Sequence, residues 1–324
     1  MPGYIARRLL GALPVLLAAA TIVWFLMFVL PGDPARLIAG GQGIDPRVLE
    51  SIRDEWGLDA PAPMQYLRYL GKLLRGDLGV SYDQRRPVAE IIGDHFPPTL
   101  ILATAAVVLA AGGGMFLGSL AAFARHRLLD DLILLLALLG TSTPVFWLGL
   151  MLMLLFASQL GWLPVLGYGL DGAVVPWTGV RLPEWDHLVL PAATLSLVSL
   201  GAIARLTRAS LLETGGAEYL VTAAAKGASR LRVFTRHALK NALIPIVTIV
   251  GIDFAAMLGG AVATEYVFAW PGLGKTIVRA IALKDLPVVE GGVLVLTLIF
   301  VLVNLAVDLL YVRLDPRIDL RRPS

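Results

Sequence analysis

Apolar residues in this chain are gathered into long unbroken runs, where a soluble helix or strand would alternate them with polar ones. Residues 9–30, 99–124 and 132–160 contain no charged side chain at all. Residues 188–204, 242–263 and 291–312 bring the number of such runs to six, the last two holding one acid each, Asp253 and Asp308. A helix rises 1.5 Å per residue, so about 20 mostly apolar residues cross about 30 Å of hydrocarbon. The pattern therefore predicts six membrane-crossing helices. The third run, at 29 residues, is longer than a straight crossing requires. Its GTSTP segment, ending at Pro144, is expected to break or kink it, because proline removes a backbone donor and clashes with the preceding turn. The fourth run is the shortest and is expected to continue past Arg205, whose long stem can snorkel. The first run begins basic, with Arg7 and Arg8, as a signal peptide does. Its 22 apolar residues exceed the ~7–15 of a signal core, so a retained span is expected.

The polar stretch between the first two runs carries helix signals of its own. Asp45-Pro46 reads as an N-cap followed by proline at the first helical position, and Leu49, Ile52 and Trp56 then share one face. A second short helix is expected from Pro63, with Met64, Leu67, Leu70 and Leu74 on one side, ended by the glycines from Gly76 to Gly79. Both read as a cap on the outer mouth of the bundle. The chain divides accordingly into an N-terminal helix with its extramembrane segment (1–98), a five-helix core (99–312) with an exposed loop at 213–241, and a tail (313–324).

Composition agrees with this reading. Of 324 residues 57% are apolar and only 16% charged, with a mean hydropathy of +0.76. That balance excludes an ordinary soluble enzyme and, equally, a disordered chain. With no cysteine there is no disulfide, thiolate metal site or thiol nucleophile. Of the 27 Lys and Arg residues, 15 lie on the side that would hold both termini and 4 in the short loops opposite. The remaining 8 lie in the long 31–98 segment, and long loops count little in the positive-inside rule. Both termini are therefore expected in the cytoplasm.

Enzyme chemistry finds little support. Gly274-Lys275-Thr276 resembles the end of a phosphate-binding loop, but Ala269 stands where the first glycine is required. His95, His126, His187 and His237 are scattered and form no H-E-x-x-H, so no metal site is expected. No G-x-S-x-G elbow occurs. Asp253 and Asp308 fall at different depths on different spans, against an acid dyad. Asp253 alone is a candidate pathway residue, since a mid-membrane carboxylate must pair, protonate or face water. An interhelical hydrogen bond is the structural alternative. Asp308 and Asn304, one turn apart, read as structural. The glycines at 112–114 and at 251, 259 and 260 read as close helix contacts.

The informative segment is the loop before the fifth run, EYLVTAAAKGASRLRVFTRHALKNALIPIVT. Good helix formers up to Lys226 precede Gly227, which permits a sharp turn, and Ser229 can cap a second helix. A helix–glycine–helix elbow would suit a docking lever. A basic topology signal, built from Lys226, Arg230, Arg232, Arg236 and Lys240, fits the same residues.

This loop resembles the coupling loop of ABC-importer permeases, in particular those of the dipeptide, oligopeptide and nickel group. The matching positions are Tyr219, Thr222, Ala223, Ala225, Lys226 and Gly227, then Arg236, His237, Ala238, Leu239, Asn241, Ala242 and Pro245. Val221 and Ala224 depart from it, standing where arginine is usual. YIARRLL at Tyr4, LPGDP at Leu30, GDLGVSY at Gly76, STPVFWLGL at Ser142, EYVFAWPGLGK at Glu265 and VDLLYVRLDPRI at Val307 extend the resemblance over nearly the whole chain. It implies an all-α, polytopic membrane protein with six transmembrane helices in the type I ABC importer permease (MetI-like) fold, multi-pass in a bacterial inner membrane. It also implies the partners: a second homologous permease, two ABC ATPases and an extracytoplasmic solute-binding protein, with membrane lipid around them and no nucleic acid. ATP and Mg would sit on the ATPases, and no cofactor on this chain. Peptides are the implied substrate. Nickel or a metal chelate is the rival within transport, and a multispan receptor or scaffold the rival outside it.

Overall fold

The structure, a computed structural model, describes residues 2–29, 35, 46–56, 59–124, 127–169, 172–175, 179–215, 226–227, 229 and 239–314. Each of the six apolar runs is helical. In chain order the elements are α1 (Pro2–Val29), α2 (Pro46–Trp56), α3 (Ala62–Leu74), α4 (Val88–Ala124), α5 (Arg127–Ser142) and α6 (Val145–Leu152). A π-helical stretch, Met153–Gln159, continues α6. Then come α7 (Trp185–Gly215), α8 (Leu239–Gly260), α9 (Val262–Val267), α10 (Leu273–Leu283) and α11 (Leu286–Leu314). The helices α4, α7 and α11 are each long and apolar enough to cross a membrane alone. Shorter apolar stretches lie within α1 and α8, at Leu10–Phe25 and Pro245–Gly259. As expected, α7 runs on past Arg205, and the two short extramembrane helices form where the Pro46 and Pro63 signals stand.

The second run lies within a longer helix: α4 starts at Val88 and passes through Pro97 and Pro98. Prolines at 97 and 98 leave two carbonyls one turn back without their usual helical donors. At 37 residues, α4 is about 55 Å long and must project beyond the membrane. The third run breaks at the proline, as expected: the helices on either side of Thr143-Pro144 meet at 113°. Pro144 itself is extended (φ −59°, ψ 130°). It cannot donate to the preceding turn and pushes Thr143 out of the helical region, so two separate helices result.

The core lies between α4, α7 and α8. Leu102, Ala106 and Ala110 of α4 meet Ala192, Leu195 and Ile203 of α7 and Ile246 and Leu258 of α8, all buried. Small residues set the spacing. A Cβ on Gly118 of α4 would fall 2.3 Å from the Ala204 carbonyl oxygen of α7, and one on Gly201 of α7 would fall 2.2 Å from the Ala137 nitrogen of α5. Gly113 and Gly114 also face α7, and Gly251 faces Val307, whereas Gly112 and Gly259 meet nothing within 4 Å. Close packing is thus the role of some of these glycines only.

Polar contacts fasten α3 and the GDLGVSY segment to the spans. Tyr66 of α3 lies 2.6 Å from the Thr21 hydroxyl of α1, with its ring 5.0 Å from that of Trp24. Before α11, the buried Asp285 carboxylate accepts hydrogen bonds from the Ser81 hydroxyl and from the Tyr82 (2.9 Å) and Asp83 (3.3 Å) amides. The GDLGVSY segment is thereby tied to the last span.

Candidate coupling loop and intramembrane polar site

The loop leaves the bundle from the end of α7. Arg208 of α7 donates from Nη2 to Asp130 of α5 at 2.8 Å, so the root of the loop is tied to a neighbouring helix. The preceding residue, Thr207, is buried, its hydroxyl bonded to the Ile203 carbonyl one turn back at 2.7 Å. Of the residues singled out in the loop, Lys226, Gly227 and Ser229 are described and exposed. Tyr219, Thr222, Ala223, Ala225 and His237 lie outside the described residues, as does most of the elbow. Gly227 has φ +83°, in the region that side chains with a Cβ rarely adopt. A Cβ built there would meet nothing within 4 Å among the described residues. Its glycine is required by the backbone angle, not by crowding.

Asp253 sits in the interior of α8, half-buried, and takes a hydrogen bond from the Ser199 hydroxyl of α7. Its Oδ2 is buried with no hydrogen-bond partner among the described residues. Asp308 is engaged elsewhere: Arg8 of α1 holds it at 2.9 Å. Asn304 donates to the Phe300 carbonyl of its own helix at 2.8 Å. The two aspartates therefore face different helices, and both Asp308 and Asn304 have structural partners.

One polar centre was not singled out from the sequence. Glu265 of α9 is fully buried. Its Oε1 accepts the Thr99 hydroxyl of α4 at 2.6 Å and its Oε2 the Lys275 amide at 2.8 Å. Thr99 in turn accepts the Leu273 amide at 2.8 Å, and the Trp270 indole donates to the Pro98 carbonyl at 2.9 Å. Burial pushes the Glu265 carboxyl above its ordinary range, while Thr99 and the Lys275 and Gly274 amides draw it back. A Cβ on Gly272 would lie 2.1 Å from this carboxylate. The EYVFAWPGLGK segment thus folds around its own acid and welds α9 and α10 to the start of α4. The legible signal was a lone glutamate in an apolar stretch followed by glycines. Its buried partner Thr99 lies 166 residues away, beyond any local pattern.

Residues 114–320 match the family described as binding-protein-dependent transport system inner membrane component, and residues 1–103 match the N-terminal family of the same systems. The chain is 42% identical over 318 residues to the glutathione transport system permease protein GsiC of Salmonella paratyphi A. It is 40% identical to the protein of that name from Escherichia coli K12. Each alignment covers 98% of this chain and 99% of the relative. Among solved structures, a chain of a crystallised amino acid ABC transporter superposes with a TM-score of 0.50 at 14% identity, over 69% of this chain and 94% of that one.

Proposed function

Because the chain belongs to the family of binding-protein-dependent transport inner-membrane components, the permease subunits of ABC importers, we propose that it forms half of a translocation pathway for small peptides. The observation that carries the substrate class is the full-length likeness to permeases named for glutathione, itself a small peptide. Nothing in those names favours nickel or a metal chelate. The chain is a transporter subunit without a nucleotide site of its own, so it must take its energy from elsewhere.

In this reading the loop at 213–241 enters a groove on a separate ATPase subunit, and Gly227 provides the turn between its two arms. The Arg208–Asp130 pair then passes motion of the loop root into α5 and α7. A second, homologous permease completes the pathway, two ATPases bearing ATP and Mg dock on the cytoplasmic side, and a solute-binding protein delivers peptide from the other. The distribution of Lys and Arg, 15 of 27 on the termini side, supports cytoplasmic termini. Asp253 is the pathway residue best suited to a peptide's ammonium group: a half-buried carboxylate with one oxygen lacking a hydrogen-bond partner among the described residues.

The test is reconstitution. The complex of this chain, its partner permease and two ATPases should take up radiolabelled glutathione or a dipeptide into proteoliposomes, dependent on ATP and on the binding protein. The isolated chain should hydrolyse no ATP. Intact assembly that moves neither peptide would overturn the substrate class. Copurification with a cytoplasmic partner other than ATPases, without transport, would favour the receptor reading.

A further inference from the structure

Scattered histidines argue against a site built from several imidazoles, but they do not exclude one imidazole set among carboxylates. The structure makes such a set at the start of α7, on the face that carries the outer loops. Glu184, Asp186 and His187 each present one ligand atom, and the three atoms lie within 4.8 Å of one another. All three residues are half-buried, and none is a freely waving surface group. We propose that these residues bind one divalent transition-metal ion of the zinc type, which fastens the outer loop to α7.

The geometry is close to what an ion needs. Zn–N and Zn–O bonds are about 2.0–2.2 Å, so donors around a tetrahedral ion stand about 3.3–3.6 Å apart. Side-chain rotation on binding would draw the three donors together by up to about 1.5 Å. The ligand arms are already positioned. The Glu184 amide donates to the Tyr168 carbonyl at 3.1 Å, and the Glu184 side chain lies against Gly169, where a Cβ would come within 2.5 Å of it. The His187 amide donates to Asp186 Oδ1 at 3.0 Å, which fixes that carboxylate beside the imidazole.

Donor chemistry selects the ion. One imidazole nitrogen with two carboxylates suits zinc, cobalt or manganese; calcium and magnesium prefer oxygen alone, and copper(I) prefers sulfur, which a cysteine-free chain does not offer as thiolate. Two carboxylate charges balance a divalent cation, and a position remains open for water. Binding would reach beyond the three ligands. Tyr168 donates from its hydroxyl to the Arg181 carbonyl at 2.7 Å and packs edge-on against the buried Trp270 ring at 4.6 Å. Gly167 bonds the Phe268 carbonyl through its amide at 2.9 Å. An ion on Glu184 and His187 therefore clamps a loop that is seated on the Glu265 centre.

The experiment uses the full chain in detergent micelles, stripped with chelator and titrated with Zn²⁺ alone by calorimetry, with Co²⁺ absorption as a second readout. One ion per chain is expected, together with a change in emission from Trp185, which stands between two of the ligands. His187→Ala and Glu184→Gln should each weaken binding at least tenfold, and His95→Ala should leave it unchanged. Circular dichroism of each variant should match the parent, since no core side chain is removed. Absence of saturable Zn²⁺ uptake by the parent chain, or parent-like binding by both ligand variants, would overturn the site.

Discussion

Gly227 acts through its backbone angle, which makes it separable from packing. At φ +83°, with nothing among the described residues within 4 Å of a Cβ there, a β-branched side chain is strained by about 1–3 kcal/mol through the backbone alone. Gly227→Val should leave membrane insertion and protein level intact while transport falls at least tenfold, from loss of the ATPases or from futile hydrolysis. Gly227→Asn, which tolerates the left-handed region, should keep most of the uptake. Equal uptake by the valine variant and the parent would reduce the loop to a topology signal. Glu265 is the opposite case, a residue that matters through its partners. Glu265→Ala strips acceptors from Thr99 and the Lys275 amide and should cost about 3 kcal/mol. Glu265→Gln keeps an acceptor oxygen and should cost less. The midpoint of thermal unfolding, followed by tryptophan emission in detergent, orders the three proteins.

Among the elements, α4 and α7 form the central pair, and their spacing is set where one backbone nearly touches the other. Gly118→Leu would place a side chain into the Ala204 carbonyl, 2.3 Å from the Cβ position. The helices cannot part locally, because Leu102, Ala106 and Ile203 are buried along the same seam. The variant should give little monodisperse protein on gel filtration and rapid digestion by trypsin. Gly112→Ala, on the same helix but facing open space, should behave as the parent. If both variants behave alike, close approach does not govern the pair. The bend at Pro144 shows how far an element-scale reading reaches. Proline announced a break in the chain, but the 113° angle depends on where α6 packs against α7.

For the whole molecule, orientation is the property on which the proposed docking of the loop to ATPases and the proposed delivery of substrate to the opposite face both depend. A Gln42→Cys variant of this cysteine-free chain should react with a membrane-impermeant maleimide added outside intact cells. Ser229→Cys should react only after permeabilisation. The reverse pattern would invert the charge-based orientation and place the loop away from cytoplasmic ATPases.

The sequence by itself determined that its six apolar runs become helical, because burying a backbone in hydrocarbon demands long apolar helices. It also carried the family, through motifs short enough to read locally, and marked Gly227 as a turn. Tertiary structure alone decided which polar groups meet. Glu265 finds Thr99 across 166 residues, and Asp285 finds Ser81 across 204. Arg8 takes Asp308 and leaves Asp253 to Ser199. A single histidine joins two carboxylates only because a loop is folded over the start of α7. Apolar periodicity records how much surface each helix must bury. It does not record which helix does the burying, so pairings between distant polar groups are legible only once the helices are packed.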